Sequence, residues 1–128
     1  MTTARLCIAV AIWLPYLSTL IAKAGGRGFG PGANKNPRDF LATLQGFRKR
    51  AAAAQLNGFE VTPAFAAAVL TAQQVGSAQQ GTIDALAIGF VVSRLLYTVC
   101  YVADWASLRS VVWFAGMGAV VALFAVSA

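Results

Sequence analysis

The chain has 128 residues, of which 59% are hydrophobic and only 11% charged, with a mean hydropathy of +0.68. A water-soluble domain draws about a quarter of its residues from the charged types, so this composition excludes a polar surface all round and makes lipid the main solvent. The net charge of +6 would suit a nucleic acid, but its placement does not. Lys23, Arg27, Lys35, Arg38, Arg48, Lys49 and Arg50 fall in one stretch opposed only by Asp39. Flanked by apolar segments and without a recognition motif, such a cluster reads as a cytoplasmic loop near anionic lipid.

Four apolar stretches follow in chain order, at about 6–22, 51–75, 83–103 and 108–126. Each is close to the ~20 residues that cross a bilayer as a helix. The runs are continuous rather than alternating, which argues against membrane strands. The expected fold is therefore all-α and integral to the membrane: a single domain over residues 1–128, with four transmembrane helices.

The first stretch ends at the basic loop, which places that loop in the cytoplasm. A cleaved signal peptide is the rival reading, given Arg5 and the Ala22-Lys23-Ala24 sequence; the length of the run and the positive charge after it favour a retained helix. In the loop, Gly25, Gly26, Gly28, Gly30 and Gly32 with Pro31 read as a flexible stretch. Asn36-Pro37-Arg38-Asp39 reads as a helix start, with Phe40, Leu44 and Phe47 following at helical spacing. The second helix is thus expected to begin in the cytoplasm, to be weakened at Gly46, and to enter the membrane near Arg50.

The uncharged segment Gly76 to Thr82 is expected outside, the turn Asp104 to Ser107 inside, and both termini outside. In this topology Cys7 and Cys100 lie at opposite ends of the bundle and cannot form an intrachain disulfide. With no histidine and two cysteines, the usual zinc ligand sets are excluded.

Polar groups inside membrane helices are costly and mark function or structural networks. At 100° per residue, Arg50, Asn57 and Glu60 fall within an arc of about 80°, and Arg94, Tyr97 and Tyr101 within about 60°. All belong to the inner halves of their helices, so they can line one cavity open to the cytoplasm. Arg109 and Ser110 stand at the inner end of the fourth helix. The plainer alternative is a structural network in which Glu60 neutralises Arg94 and the amide and phenols complete the hydrogen bonds. Pro63 removes a helix donor just beyond the cluster, and the alanines at 51–54 and 66–68 permit close helix approach.

Asn57-x-x-Glu60-x-x-Pro63-x-Phe65, then Arg94-x-x-Tyr97-x-x-x-Tyr101, then Leu108-Arg109, resemble the MAPEG family, the membrane-associated proteins in eicosanoid and glutathione metabolism, and most closely its short bacterial branch. The resemblance covers about Asn36 to the C-terminus. It implies a homotrimer of four-helix subunits in a bacterial inner membrane, with glutathione as co-substrate bound between subunits near the cytoplasmic side and a lipophilic small molecule as electrophile. By position it implies that Asn57 and Glu60 hold glutathione, Glu60 through the α-amino group, with Tyr97 and Tyr101 lining the site. Arg50 and Arg94 would belong to the same binding set, and Arg109 would stabilise the thiolate. One position departs: glutathione-using relatives carry an arginine four residues before the asparagine, and this chain has Ala53, with Arg50, Arg27 or Arg38 as possible substitutes. The implied activity is a membrane-embedded transferase or peroxidase. The alternatives are a non-catalytic or lipid-binding protein of the same fold and, less well supported by the nearly uncharged outer half, a small transporter subunit.

Overall fold

The computed structural model describes residues 1–24 and 28–128. Gly25, Gly26 and Arg27, taken above as part of the glycine stretch and as a candidate anion contact, lie outside the described residues. The described residues form six helices and no strand: α1 Thr3–Ala24, α2 Pro31–Lys35, α3 Pro37–Ala42, α4 Gly46–Val75, α5 Gln80–Val102 and α6 Ala106–Ser127. Among them α1, α5 and α6 are long and apolar enough to cross a membrane. The 30-residue α4 is long enough, at ~1.5 Å per residue, but Asn57, Glu60, Thr62, Gln73 and Gln74 make it less apolar than the other three.

The four long helices pack on small residues. The buried face of α1 is Ala4, Cys7, Ala11, Pro15, Ser18 and Ala22, a spacing of three and four that keeps one stripe against a partner helix. On α4 the matching face includes Ala54, Gly58, Val61, Phe65, Ala68 and Ala72. At the closest approach, a Cβ added to Gly58 would sit 2.7 Å from Pro15 Cγ, so only glycine fits there. Such stripes suit lipid, where association depends on close packing rather than on expelling water. Bulk is confined to the middle of the bundle. There Phe65 of α4 stacks on Phe90 of α5 with centroids 3.9 Å apart, beside buried Val69, Ile83 and Leu123.

The outside is the reverse of a soluble protein. Trp13, Leu20, Leu56, Val111, Phe114 and Val121 are among many large apolar side chains more than half exposed, a surface far beyond the patches water tolerates. Both cysteines are free and buried, and no cluster of metal-binding side chains occurs among the described residues.

The basic segment differs from the expected single helix entering the membrane from Asn36. Asn36 and Pro37 do start a helix, but the asparagine side chain makes no cap hydrogen bond and α3 stops after six residues. Thr43 ends it by donating its hydroxyl to the Phe40 carbonyl at 2.7 Å. The chain then turns through Gly46, whose φ of +61° belongs to the left-handed region that side chains disfavour. The break has a packing reason: it brings Leu44 into a small second core with Ala22, Ala51 and Ala52, which a continuous helix would carry away from α1. Phe40 is half-buried against the same cluster, whereas Phe47 is exposed.

Candidate functional site

Six of the residues singled out in the sequence form one continuous ladder of contacts across α4, α5 and α6. It begins at Glu60, exposed on α4, whose Oε2 accepts from Asn57 Nδ2 at 3.3 Å. The Asn57 oxygen in turn accepts from Arg94 Nη2 at 2.7 Å. The two α4 groups are three residues apart, which places them on one face. Arg94 is 7% exposed, and a buried guanidinium needs partners to offset the loss of water. Besides Asn57 it has the face of Tyr97, with the guanidinium carbon 4.0 Å from the ring centroid. Tyr97 meets Tyr101 edge-on at 5.5 Å between centroids, and Arg109 lies over the other end of the pair, 4.4 Å from the Tyr101 centroid.

The direct Glu60–Arg94 ion pair of the structural alternative is not present among the described residues. The neutral amide of Asn57 stands between the two charges instead. Two consequences follow. The Glu60 carboxylate keeps an oxygen free on the outer face of α4. The Arg94 charge is steadied by an amide dipole and a π-face rather than by an anion, and so leaves a positive potential in the ladder.

At the Arg109 end the ladder opens into a cavity of about 210 Å³ lined by Tyr97, Arg109, Ser110, Trp113 and Phe114. Arg109 sits in the first turn of α6, its backbone N–H bonded to the Trp105 carbonyl at 2.9 Å. The positive end of the helix dipole therefore adds to its side-chain charge. The cavity walls combine the rings of Tyr97, Trp113 and Phe114 with the Ser110 hydroxyl and the Arg109 guanidinium, and the cavity opens to the surface beside the exposed Phe114. Trp113 and Phe114 were not picked out from the sequence. The signal available was spacing: Trp113 is one helical turn after Arg109 and shares its face, but an aromatic residue in an apolar helix is unremarkable without that context.

Arg50 does not join the ladder. It donates to the Val102 carbonyl through Nε at 3.3 Å and Nη2 at 3.1 Å, and its Nη1 lies 4.0 Å from Asp104. It thus caps the C-terminus of α5. Its neighbour Arg48 does the same for α1, donating Nε to the Ala22 carbonyl at 2.8 Å and Nη2 to Lys23 at 3.4 Å. Two of the seven cations read as a loop cluster are thereby engaged as helix caps by the tertiary fold.

A further polar centre escaped the sequence reading. Asp84 of α5 accepts the Ala4 backbone N–H at 2.8 Å and the Gln80 amide at 2.8 Å. It satisfies one of the free donors at the N-terminus of α1 from eighty residues away. A lone aspartate near the start of an apolar run gives no hint of that partner.

No curated protein and no solved structure matches the chain significantly. The model of the MAPEG family matches residues 3–128, which take in all four long helices and the whole ladder from Glu60 to Arg109. The chain belongs to the MAPEG family and is an integral membrane protein of eicosanoid and glutathione metabolism.

Proposed function

We propose that this protein is a glutathione-dependent enzyme that joins the thiol to lipophilic electrophiles or uses it to reduce lipophilic peroxides, with Arg109 holding the thiolate. The ladder ending on Arg109 above an aromatic cavity is the observation that carries this reading. A free thiol has a pKa of about 8.5 and is only a few per cent ionised at neutral pH. Lowering it by about two units requires about 2.7 kcal/mol of preference for the charged form, an amount within reach of one guanidinium and a helix N-terminus acting together on a bound thiolate. Glu60 offers a carboxylate for the α-amino group of glutathione, and Asn57, Arg94, Tyr97 and Tyr101 hold the peptide between these ends. Arg50 acts beside the site rather than in it, by fixing the end of α5.

The reading includes a homotrimer in which α4 is the fourth membrane-crossing helix and lies near the axis. Leu56, Glu60, Pro63, Ala67 and Leu70 form an exposed stripe on α4 at the three-and-four spacing of a helix seam. A neighbour on that stripe would enclose the free Glu60 oxygen and complete the site between subunits. Ala67→Leu is expected to weaken the trimer, and a stable monomer in mild detergent would refute it.

Arg109→Ala tests the chemistry. It should lose about a hundredfold in thiol conjugation and most of the thiolate absorbance of bound glutathione, while Arg109→Lys keeps part of both. Parent-like turnover in Arg109→Ala would remove Arg109 from the mechanism. Ala53, where glutathione-using relatives have an arginine, favours a second reading: a non-catalytic protein that keeps the fold. Absence of thiol-dependent turnover in the parent protein would select it.

A further inference from the structure

Pro15 lies inside α1 and has no N–H to offer the Ala11 carbonyl one turn back. Thr62 of α4 reaches across to that carbonyl at 3.4 Å, but the same hydroxyl bonds the Gly58 carbonyl at 2.7 Å. A hydroxyl has a single proton to donate, so the shorter bond leaves Ala11 poorly served. Beside this point is a small chamber between α1, α4 and α5, whose lining includes Ala11, Ser18, Gly58, Thr62, Arg94 and Thr98. Its volume of about 10 Å³ open to the centre of a water molecule is close to the least that holds one. Ser18 is 2% exposed. Its hydroxyl has no hydrogen-bond partner among the described residues, whereas Thr19, Thr62 and Thr98 each bond a carbonyl four residues back. Among those residues no fully covered polar side-chain atom goes unpaired, so the Ser18 oxygen keeps contact with open space, and the chamber is the space it lines.

We propose that one ordered water occupies this chamber and joins Ser18 and the Ala11 carbonyl of α1 to the Arg94 guanidinium of α5, which makes Ser18 a positioning residue for the ladder. The water accepts from Arg94 and from the Ser18 hydroxyl and donates to the Ala11 carbonyl, about the three bonds that buried waters make. Arg94 has donors to spare. A guanidinium carries five N–H groups, and Asn57 takes one at 2.7 Å while Tyr97 covers a face. Inside a membrane bundle the remaining donors have no bulk water to turn to, and leaving them unmet is costly. The guanidinium repels a metal cation from the same place, and the space is too small for an organic ligand. Asn57 fixes Arg94 from α4 and Tyr97 fixes it from its own helix. The water adds an anchor from α1, which otherwise contributes no residue to the ladder.

The tests use the full-length protein in lipid. A structure determined at a resolution that shows ordered water should hold one density peak within about 3.2 Å of both Ser18 Oγ and an Arg94 nitrogen. An empty chamber overturns the proposal, and this measurement decides even if no variant folds. Nuclear magnetic resonance of arginine-labelled protein should show magnetisation passing from a long-lived water to the Arg94 side chain, assigned by its loss in Arg94→Lys. Ser18→Ala removes one partner without adding bulk and should reduce that transfer about threefold or more. Thr19→Ala, the neighbouring hydroxyl outside the chamber, should leave it unchanged. Full transfer in Ser18→Ala overturns the bridge. The positioning role has its own readout, which rests on the glutathione reading. Because Arg94 holds the peptide while Arg109 ionises the thiol, Ser18→Ala should raise KM for glutathione about threefold and keep kcat within about twofold. An unchanged KM removes the positioning role. A parent protein without thiol turnover removes the glutathione reading instead, and the density and resonance results still decide whether the water is there.

Discussion

The two ends of the bundle solve the same problem, helix termini facing polar surroundings, with opposite chemistry. At the basic end α1 and α5 finish, and their free carbonyls are taken by Arg48 and Arg50 from α4. At the other end α1 begins, and its free N–H is taken by Asp84 of α5 within a neutral network: Gln80 donates to Asp84, Gln73 donates to Thr2 and Gln80, and Arg5 donates to Gln73. The donors and acceptors are placed as the helix dipoles require, cations at C-termini and an anion at an N-terminus. The ends differ in what remains. The far end is closed on itself, whereas the basic end keeps Arg38, Lys49 and Arg109 directed at open volumes. Surplus charge belongs to the basic end alone.

The sharpest way to break this comparison is topological. A cysteine placed at Gly30 should be labelled only from the cytoplasm and one at Ser77 only from outside, an all-or-none difference; the reverse pattern would put the surplus cations on the wrong face for the positive-inside rule. Next in size is Asp84→Ala, which strips a charged acceptor from the α1 terminus and should cost about 1.5–3 kcal/mol of stability, read by denaturant unfolding in detergent. Arg48→Ala, removing the half-buried cap of α1, should cost about 1 kcal/mol and loosen α3 with it. Hydrogen exchange at residues 20–24 would report fraying of the α1 end, and unchanged protection there would count against the cap.

The smallest effect is expected from Asp104→Asn. The Arg50–Asp104 contact is 4.0 Å with the aspartate side chain 67% exposed, so its loss should cost under about 0.5 kcal/mol. Asparagine also tolerates the positive φ of 65° at this turn. A larger loss would mean that Arg50 holds α5 through the ion pair rather than through the Val102 carbonyl.

Helical periodicity made most of the site legible. Asn57 and Glu60, and Arg94, Tyr97 and Tyr101, share faces because the backbone repeat is fixed, and polar groups in apolar runs stand out by their cost. What it could not supply was pairing between elements. The alternative in which Glu60 neutralises Arg94 directly followed from charge alone, yet it is Asn57, three residues earlier on the same face, that accepts the hydrogen bond. Arg50 shares the angular sector of Asn57 but reaches the end of α5, because a long side chain near a helix terminus finds unsatisfied carbonyls there.

By itself the sequence determined the solvent, the helical class, the polar faces and the crowding of positive charge toward one end. These follow from composition and from a repeat that every residue obeys locally. Only the tertiary structure decided which arginines became caps and which stayed free, that the weak point at Gly46 became a full break seating Leu44 against α1, and that Asp84 serves a helix eighty residues away. Those outcomes depend on distances between segments, and distance across a bundle is set by packing contacts, such as Gly58 on Pro15 and Phe65 on Phe90, that no local pattern encodes.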